Sequence, residues 1–248
     1  MLTEERFSCI LDRIHARGSA TVTELSQMLG VSESTVRRDL STLDDMGRLN
    51  KVHGGACRLT EEPVTSEPSV MEKETICVEE KKTIGRYAAT MINDDDFVFI
   101  DAGTTTRWMI EYIEHTKATF VTNGIMQAKL LAAKNLHTYM IGGFIKPVTE
   151  AVIGAEGVNA LSRYNFTKSF IGTNGIHIEA GFTTVDVEEA RIKSEAISRS
   201  YANIVLADHT KFDQISAITF APIEKVCIIT DAAVKDKYKE ATIIKEVM

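Results

Sequence analysis

The sequence predicts two domains of different class: an N-terminal winged helix-turn-helix, mostly α, over residues 1–58, and an α/β domain with a mostly parallel sheet over 72–248, joined by a linker at 59–71. Three observations predict this. Apolar residues recur at helical spacing in three short N-terminal segments, a polar stretch with prolines follows, and short apolar runs then alternate with helical patterns. Charge divides the same way. Residues 1–60 hold eight Lys/Arg and eight Asp/Glu, so the whole net charge of −7 belongs to the larger C-terminal part. That acidity excludes a protein that coats nucleic acid along its entire surface, and any DNA contact must come from a local cluster.

Thr3 is placed to cap a first helix in which Phe7, Ile10, Leu11 and Ile14 share one face, and Gly18 ends it. Thr23 to Leu29 makes a second helix with Leu25, Met28 and Leu29 inward, and Gly30-Val31 supplies a turn. The stretch Ser32 to Gly47, SESTVRRDLSTLDDMG, then reads as a third helix capped by Ser32 and stopped by Gly47. Val36, Leu40 and Leu43 fall within about 60° of one another at 3.6 residues per turn. Ser34, Arg37, Arg38 and Ser41 gather on the far side, with Thr35 close by. Paired arginines among small hydroxyl residues form a fork of donors that fits the DNA major groove. The alternative is a helical hairpin packed inside a larger domain, which would leave two arginines facing outward without a task. Beyond Gly47, RLNKVHGGA (48–56) predicts a small hairpin, or wing, that carries Lys51 and His53 toward the phosphate backbone. For His53 a turn residue bonded within its own loop is an equal reading.

From Leu59 to Val70 no helical or strand period survives, and two of the four prolines, Pro63 and Pro68, lie there. An extended, easily cut tether is expected. After it, Ile84, Tyr87, Ala88, Met91 and Ile92 mark an amphipathic helix. Strands are expected at Phe97–Ile100, Thr119–Val121, Thr138–Ile141, Ser169–Ile171, Ile204–Leu206 and Val226–Ile229, with helices at Thr105–His115 and Ile125–Lys134 among the connections. In such sheets ligands lie where strands end. Here those ends are polar and rich in glycine: Asp101-Ala-Gly103-Thr104-Thr105-Thr106, Thr122-Asn123-Gly124, Gly142-Gly143 and Gly172-Thr-Asn174-Gly175. Hydroxyls and free N–H groups at a helix start suit an anion, and Asp101 suits sugar hydroxyls. Asp186-x-x-Glu189 is a capping-box pattern opening a helix whose inward arc includes Val187, Ala190, Ile197 and Tyr201. Lys193 falls in that arc, where it either snorkels outward or meets a buried anion. Lys211 follows a strand end in ADHTKF, as an anion ligand or a surface lysine.

Cys9, Cys57, Cys77 and Cys227 are scattered without a C-x-x-C pair, which predicts reduced buried thiols and neither a disulfide framework nor a metal site. The start MLTEERF lacks a signal-peptide pattern, and no run approaches the roughly 20 apolar residues of a membrane span. A cytoplasmic protein with no membrane partner is expected.

Residues 4–56, with S-x-S-T-V-R-R-D-L and H-G-G-A, resemble the N-terminal domain of DeoR-family bacterial transcriptional repressors. DAGTTT, TN, GG, FIGTNGI, the EEARIK helix and LADHTKF resemble the C-terminal sensor domain of the same family, so the likeness covers nearly the whole chain. It implies a fold similar to ribose-5-phosphate isomerases and CoA transferases, a double-stranded operator as partner, and a phosphorylated sugar as effector. NFTKSFIGTNGI with GFTTVDVEEARIK is most similar to regulators of fructose and lactose utilisation in Gram-positive bacteria, which makes fructose 1-phosphate the candidate effector. Two positions depart from common family usage: Lys51, where Arg is frequent, and Thr167, where an acidic residue is. The resemblance carries DNA contact to Ser34, Thr35, Arg37, Arg38, Ser41, Lys51 and His53. It carries effector contact to Asp101, Gly103, Thr104, Thr105, Thr106, Thr122, Asn123, Gly143, Asn174, Lys193 and Lys211. No cofactor is implied, and one short reading helix per chain implies a homodimer or homotetramer.

The rival reading is a sugar-phosphate isomerase with an appended DNA-binding domain. The isomerases that the larger domain resembles carry a D-G-A-D loop, whereas Thr173-Asn174-Gly175 has no carboxylate. Glu188 and Glu189 remain as bases, at a spacing that fits helix capping equally well. No nucleotide-binding, zinc-protease or Ser/His/Asp pattern occurs. No catalytic residue is therefore expected.

Overall fold

The structure is a computed structural model that describes residues 2–58 and 63–247. The chain divides into two compact units, Met1–Glu61 and Glu62–Met248.

The first unit comprises α1 (Thr3–Arg17), β1 (Ser19–Thr21), α2 (Val22–Leu29), α3 (Glu33–Asp45), β2 (Asn50–Val52) and β3 (Gly55–Cys57). Ile10, Ile14, Leu25, Val36, Leu40 and Leu43 are fully buried in one small core. Each such side chain contributes about 1.5–3 kcal/mol by leaving water. The helices end as the glycines require: Gly18, Gly30 and Gly47 adopt φ of 79°, 66° and 62°, where a Cβ would be strained. Three expectations need correction. Thr3 is the first helical residue and not the cap, because Glu5 reaches back to the Leu2 N–H (2.8 Å). Met28 is exposed, and Val22 takes its inward place. The predicted wing is a three-stranded antiparallel sheet ordered β1-β3-β2, since Ser19–Thr21 pairs with Cys57–Gly55.

In the second unit α4 (Val70–Thr75) and α5 (Val78–Ala89) precede β4 (Phe97–Ile100), α6 (Thr104–Tyr112), β5 (Thr119–Thr122), α7 (Ile125–Ala133) and β6 (His137–Met140). A hairpin of β7 (Phe144–Lys146) and β8 (Ala151–Ile153) leads to α8 (Ala155–Leu161) and β9 (Phe166–Gly172). There follow β10 (Gly175–His177), β11 (Gly181–Thr184), α9 (Val187–Ser198), β12 (Ser200–Leu206), β13 (Ile218–Ala221), β14 (Cys227–Thr230), α10 (Asp236–Ala241) and β15 (Ile244–Glu246). Seven strands form one parallel sheet ordered β15-β14-β12-β9-β4-β5-β6. Apolar clusters cover both of its faces, as a parallel sheet requires. α5 and α6 pack so closely that a Cβ on Gly85 would stand 2.6 Å from the Met109 backbone nitrogen. The antiparallel sheet β10-β11-β13 was not expected.

Strand order decides where a ligand goes. The chain winds from β4 through β5 to β6 on one side, then crosses to β9 and continues through β12 and β14 on the other. β4 and β9 are therefore neighbours whose connections leave in opposite directions, and a crevice opens beyond their carboxyl ends.

Of the expected tether, residues 59–62 lie outside the described residues. Residues 63–69 are no free linker: the Val64 N–H donates to Ile215 O (2.8 Å), and Glu67 is buried in ion pairs with Lys73 and Lys146. The cysteines are free, as expected, but Cys9 is exposed and the others are only partly covered.

Candidate functional site

On α3 the exposed face carries the expected reading residues. Ser32 caps the helix by accepting from the Thr35 N–H (3.3 Å), and its hydroxyl also bonds to those of Ser34 and Thr35, each at 2.9 Å. Arg37 and Arg38 both face solvent. Arg37 leans on Glu33 one turn back (3.2 Å) with its side chain still 57% exposed, and Arg38 shows no ion pair among the described residues. Neither guanidinium is consumed by the fold. Lys51 does not stand apart on the wing: its ammonium donates to Ser41 Oγ (2.6 Å) and its N–H to Asp44 (2.9 Å), which ties the wing to the reading helix. His53 is exposed at the hairpin turn. The pattern left one structural pair unread: Arg6 on α1 grips Asp39 on α3 with two hydrogen bonds of 2.8 and 3.0 Å. Asp39 lies at i+3 from Val36, on the edge of the buried stripe, and that position was the available signal.

In the second unit a cleft opens at the β4/β9 crevice. Gly103, Thr104 and Thr105 line it from one side, and Gly172, Thr173 and Asn174 from the other. Ala207, Asp208 and Lys211 enter from the end of β12, with Lys81 from α5, Lys73 from α4, Glu189 and Lys193 from α9, and Glu67. α6 opens at Gly103 without a side-chain cap, so its first-turn N–H groups have no intrahelical acceptors and favour an anion at this wall.

Several expected residues are placed elsewhere. Asp101 is 1% exposed and does not face the cleft. Its carboxylate accepts from Lys193 and from the Gly172 N–H (3.0 Å), and Lys193 also donates to Gly172 O (3.0 Å). Of the two readings of Lys193, the structure gives the second: it meets a buried anion, and that anion is Asp101. Burial pushes the Asp101 carboxyl above its ordinary value, against the opposing pull of Lys193 and the Gly172 N–H. Thr106 donates to Asp101 O (2.6 Å), and Asn123 accepts from the Ala102 N–H (2.8 Å). Thr122 donates to Ile100 O (2.6 Å). These three brace the loop from behind and do not line the cleft. Gly143 lies beyond β6 and is likewise absent from the lining. The reason is strand order: each strand adds about 4.8 Å, and the ends of β5 and β6 step away from the β4/β9 crevice. Thr167 sits at the opposite end of β9 from the cleft, bonded to Asp96 (2.7 Å).

The expected capping box at α9 forms in part. Asp186 accepts from the Glu188 and Glu189 N–H groups (both 2.9 Å), but Glu189 turns to Lys146 (3.0 Å) and Thr149 (2.6 Å). Val187 and Tyr201, expected inward, are exposed.

Lys81 is the residue that pattern reading missed. It is 4% exposed and lines the cleft, its ammonium donating to Lys73 O. Burial pushes its pKa down; Asp208 opposes this and Lys211 adds to it. The signal was present, since Lys81, Ile84 and Ala88 share one buried stripe of α5. Asp208, 1% exposed, bonds to Thr210 through Oδ1 while Oδ2 has no partner among the described residues. A buried cationic group beside an unsatisfied acceptor is a polar arrangement incomplete by itself. Among the described residues no acidic, His or Cys cluster suited to a metal ion is present, and no helix is long and apolar enough to cross a membrane.

A helix-turn-helix with two exposed arginines, followed by an α/β body with a polar cleft at its switch point, is the arrangement of a transcriptional regulator with a second, sensor-type domain. Residues 6–62 match the DeoR-like helix-turn-helix domain and residues 76–232 match the DeoR C terminal sensor domain. The chain belongs to the DeoR family. It is 43% identical to the uncharacterized HTH-type transcriptional regulator FruR of Bacillus subtilis (strain 168), over 100% of this chain and 99% of that protein. It is 34% identical to a lactose phosphotransferase system repressor of Staphylococcus epidermidis, over 92% of this chain and 91% of that protein. Among solved structures, ribose 5 phosphate isomerase A from Neisseria gonorrhoeae overlaps 54% of this chain and 53% of its own at 15% identity, with a TM-score of 0.40. That overlap is too loose to carry an argument about activity.

Proposed function

We propose that the protein is a cytoplasmic, sequence-specific repressor of a sugar-utilisation operon, controlled by a phosphorylated sugar bound in the β4/β9 cleft. The observation that carries the effector reading is Lys81, a cation held in a buried position beside Lys211 and the uncapped start of α6. A phosphate group pairs with these donors, and the Asp208 carboxylate on the same lining is an acceptor for a sugar hydroxyl. Fructose 1-phosphate is the candidate, following the sequence resemblance to fructose regulators.

Arg37 and Arg38 read base edges in the major groove. α3 is about 20 Å long at 1.5 Å per residue and covers one half-site, so two or more chains act together. The relatives reported above are named as regulators and a repressor, which favours a switch over an isomerase. Glu189 and Glu67 support the same reading, since both are held in ion pairs and neither is a free base.

A thermal-shift screen with pentose and hexose phosphates tests the effector, because a ligand specific to the folded state raises its stability by mass action. Stabilisation by one or a few sugar phosphates supports the reading. Stabilisation by none overturns it, and turnover of any of them would establish the isomerase instead.

A further inference from the structure

Residues 63–69 are the last stretch of the α/β unit before the chain runs back to the helix-turn-helix, and they place a carboxylate inside the cleft. Glu67 lines the same cleft as Lys81 and Lys211, with its side chain 7% exposed. It pairs with Lys73 at 2.7 Å and Lys146 at 2.8 Å, and Asn174 Nδ2 stands 3.5 Å away. Burial works to raise this carboxyl, but the two lysines outweigh it and hold it below the usual carboxylate range.

The two lysines are not equivalent. Lys146 keeps Glu189 (3.0 Å) and Asp186 (3.3 Å) without Glu67, whereas Glu67 is the one ion-pair partner of Lys73 among the described residues. Around the cleft Glu67, Glu189 and Asp208 already set three carboxylates against the lysines. A phosphate monoester brings up to two further negative charges. Like charges crowded into one poorly solvated cleft disfavour each other, and Glu67 is the carboxylate carried on the short stretch between the Val64 bridge and the Ser69 cap of α4, not on a helix or strand.

We propose that Glu67 competes with the ligand's phosphate: it holds Lys73 at the edge of the cleft that Lys81 and Lys211 also line, and an incoming sugar phosphate takes Lys73 over and displaces Glu67 together with residues 63–68. This inference rests on the reading of the cleft as a phosphate-binding site. Its consequence is a physical link between occupancy and the connector. Docked Glu67 and bound phosphate exclude one another, so each weakens the other by the same factor. The Val64 N–H, bonded to Ile215 O, reports whether the segment is docked.

The test compares the full-length protein with Glu67→Gln, which keeps shape and removes charge, and with Glu188→Gln, a half-buried carboxylate paired with Arg191 outside the cleft. Calorimetric titration with fructose 1-phosphate and with inorganic phosphate gives affinity, and hydrogen exchange at Val64 gives docking. Glu67→Gln is expected to bind roughly 5–150-fold more tightly, to exchange faster at Val64 without ligand, and to gain little further exchange on binding. Wild type is expected to lose Val64 protection when it binds, and Glu188→Gln to behave as wild type. Equal or weaker binding by Glu67→Gln, or ligand-bound wild type with Val64 still protected, overturns this inference while leaving the effector site standing. Failure of all three proteins to bind any sugar phosphate overturns both.

Discussion

Replacing Lys193 by Met leaves the buried Asp101 carboxyl with the Gly172 N–H as its remaining charge-stabilising partner. Met roughly preserves volume and keeps a thioether in place of the ammonium that now lies 5.7 Å from the Phe220 ring centre, so the change is mainly in charge. Removing one member of a buried ion pair costs about 3–5 kcal/mol. At about 2–4 °C per kcal/mol for a body of this size, the unfolding transition of the α/β unit falls by roughly 6–20 °C. Calorimetry at neutral pH reads this directly. The double variant Asp101→Asn with Lys193→Met removes both charges and is expected to recover most of the loss. The pH dependence has a fixed sign. Burial raises the Asp101 carboxyl, and without Lys193 it rises further. Between the unfolded and folded values the folded state holds a proton that the unfolded state has released, so stability falls as pH rises through that window. The deficit of the single variant therefore shrinks on acidification. A variant within about 0.5 kcal/mol of wild type at neutral pH, or a deficit that grows in acid, refutes the role given to this pair.

Arg38→Ala is expected to lose about 1–3 kcal/mol of operator affinity and to relax preference at one base position, as a lost guanine contact does. Equal weakening on every sequence in a binding-site selection would make it a phosphate contact. The imidazole of His209 is raised by its hydrogen bond to Asp231 (2.7 Å), with burial opposing. Its contribution is complete below the ordinary histidine value and is lost as pH rises through the raised one. The ring is half exposed, so the effect stays under about 1 kcal/mol. His209→Gln is expected to flatten the stability profile near and above neutrality, and an unchanged slope would remove His209 from this role.

The helix-turn-helix was legible because a helical period of apolar residues, closed by Ser32 and Gly47, states its own ends. The strands β4, β5 and β14 were legible as short apolar runs. β11 was not: its Thr183 and Thr184 are fully buried, yet Gly-Phe-Thr-Thr shows neither alternation nor an apolar run. For the cleft, the loops after β4 and β9 line it and those after β5 and β6 do not, a difference no single segment shows because strand order is a property of pairing. Lys81 was visible in the stripe it shares with Ile84 and Ala88. Glu67 was not, since Lys146 lies 79 residues away in sequence and nothing local to TSEPS announces the meeting.

The most direct measurement is operator affinity at fixed salt, using DNA selected by the wild-type protein, for wild type and Lys81→Met with and without saturating fructose 1-phosphate. Wild-type affinity is expected to change by roughly 5–150-fold on adding the sugar phosphate. Lys81→Met is expected to bind the operator equally well alone and to respond little. A wild-type affinity indifferent to this and every other sugar phosphate, or a Lys81→Met response equal to wild type, contradicts the cleft as the switch.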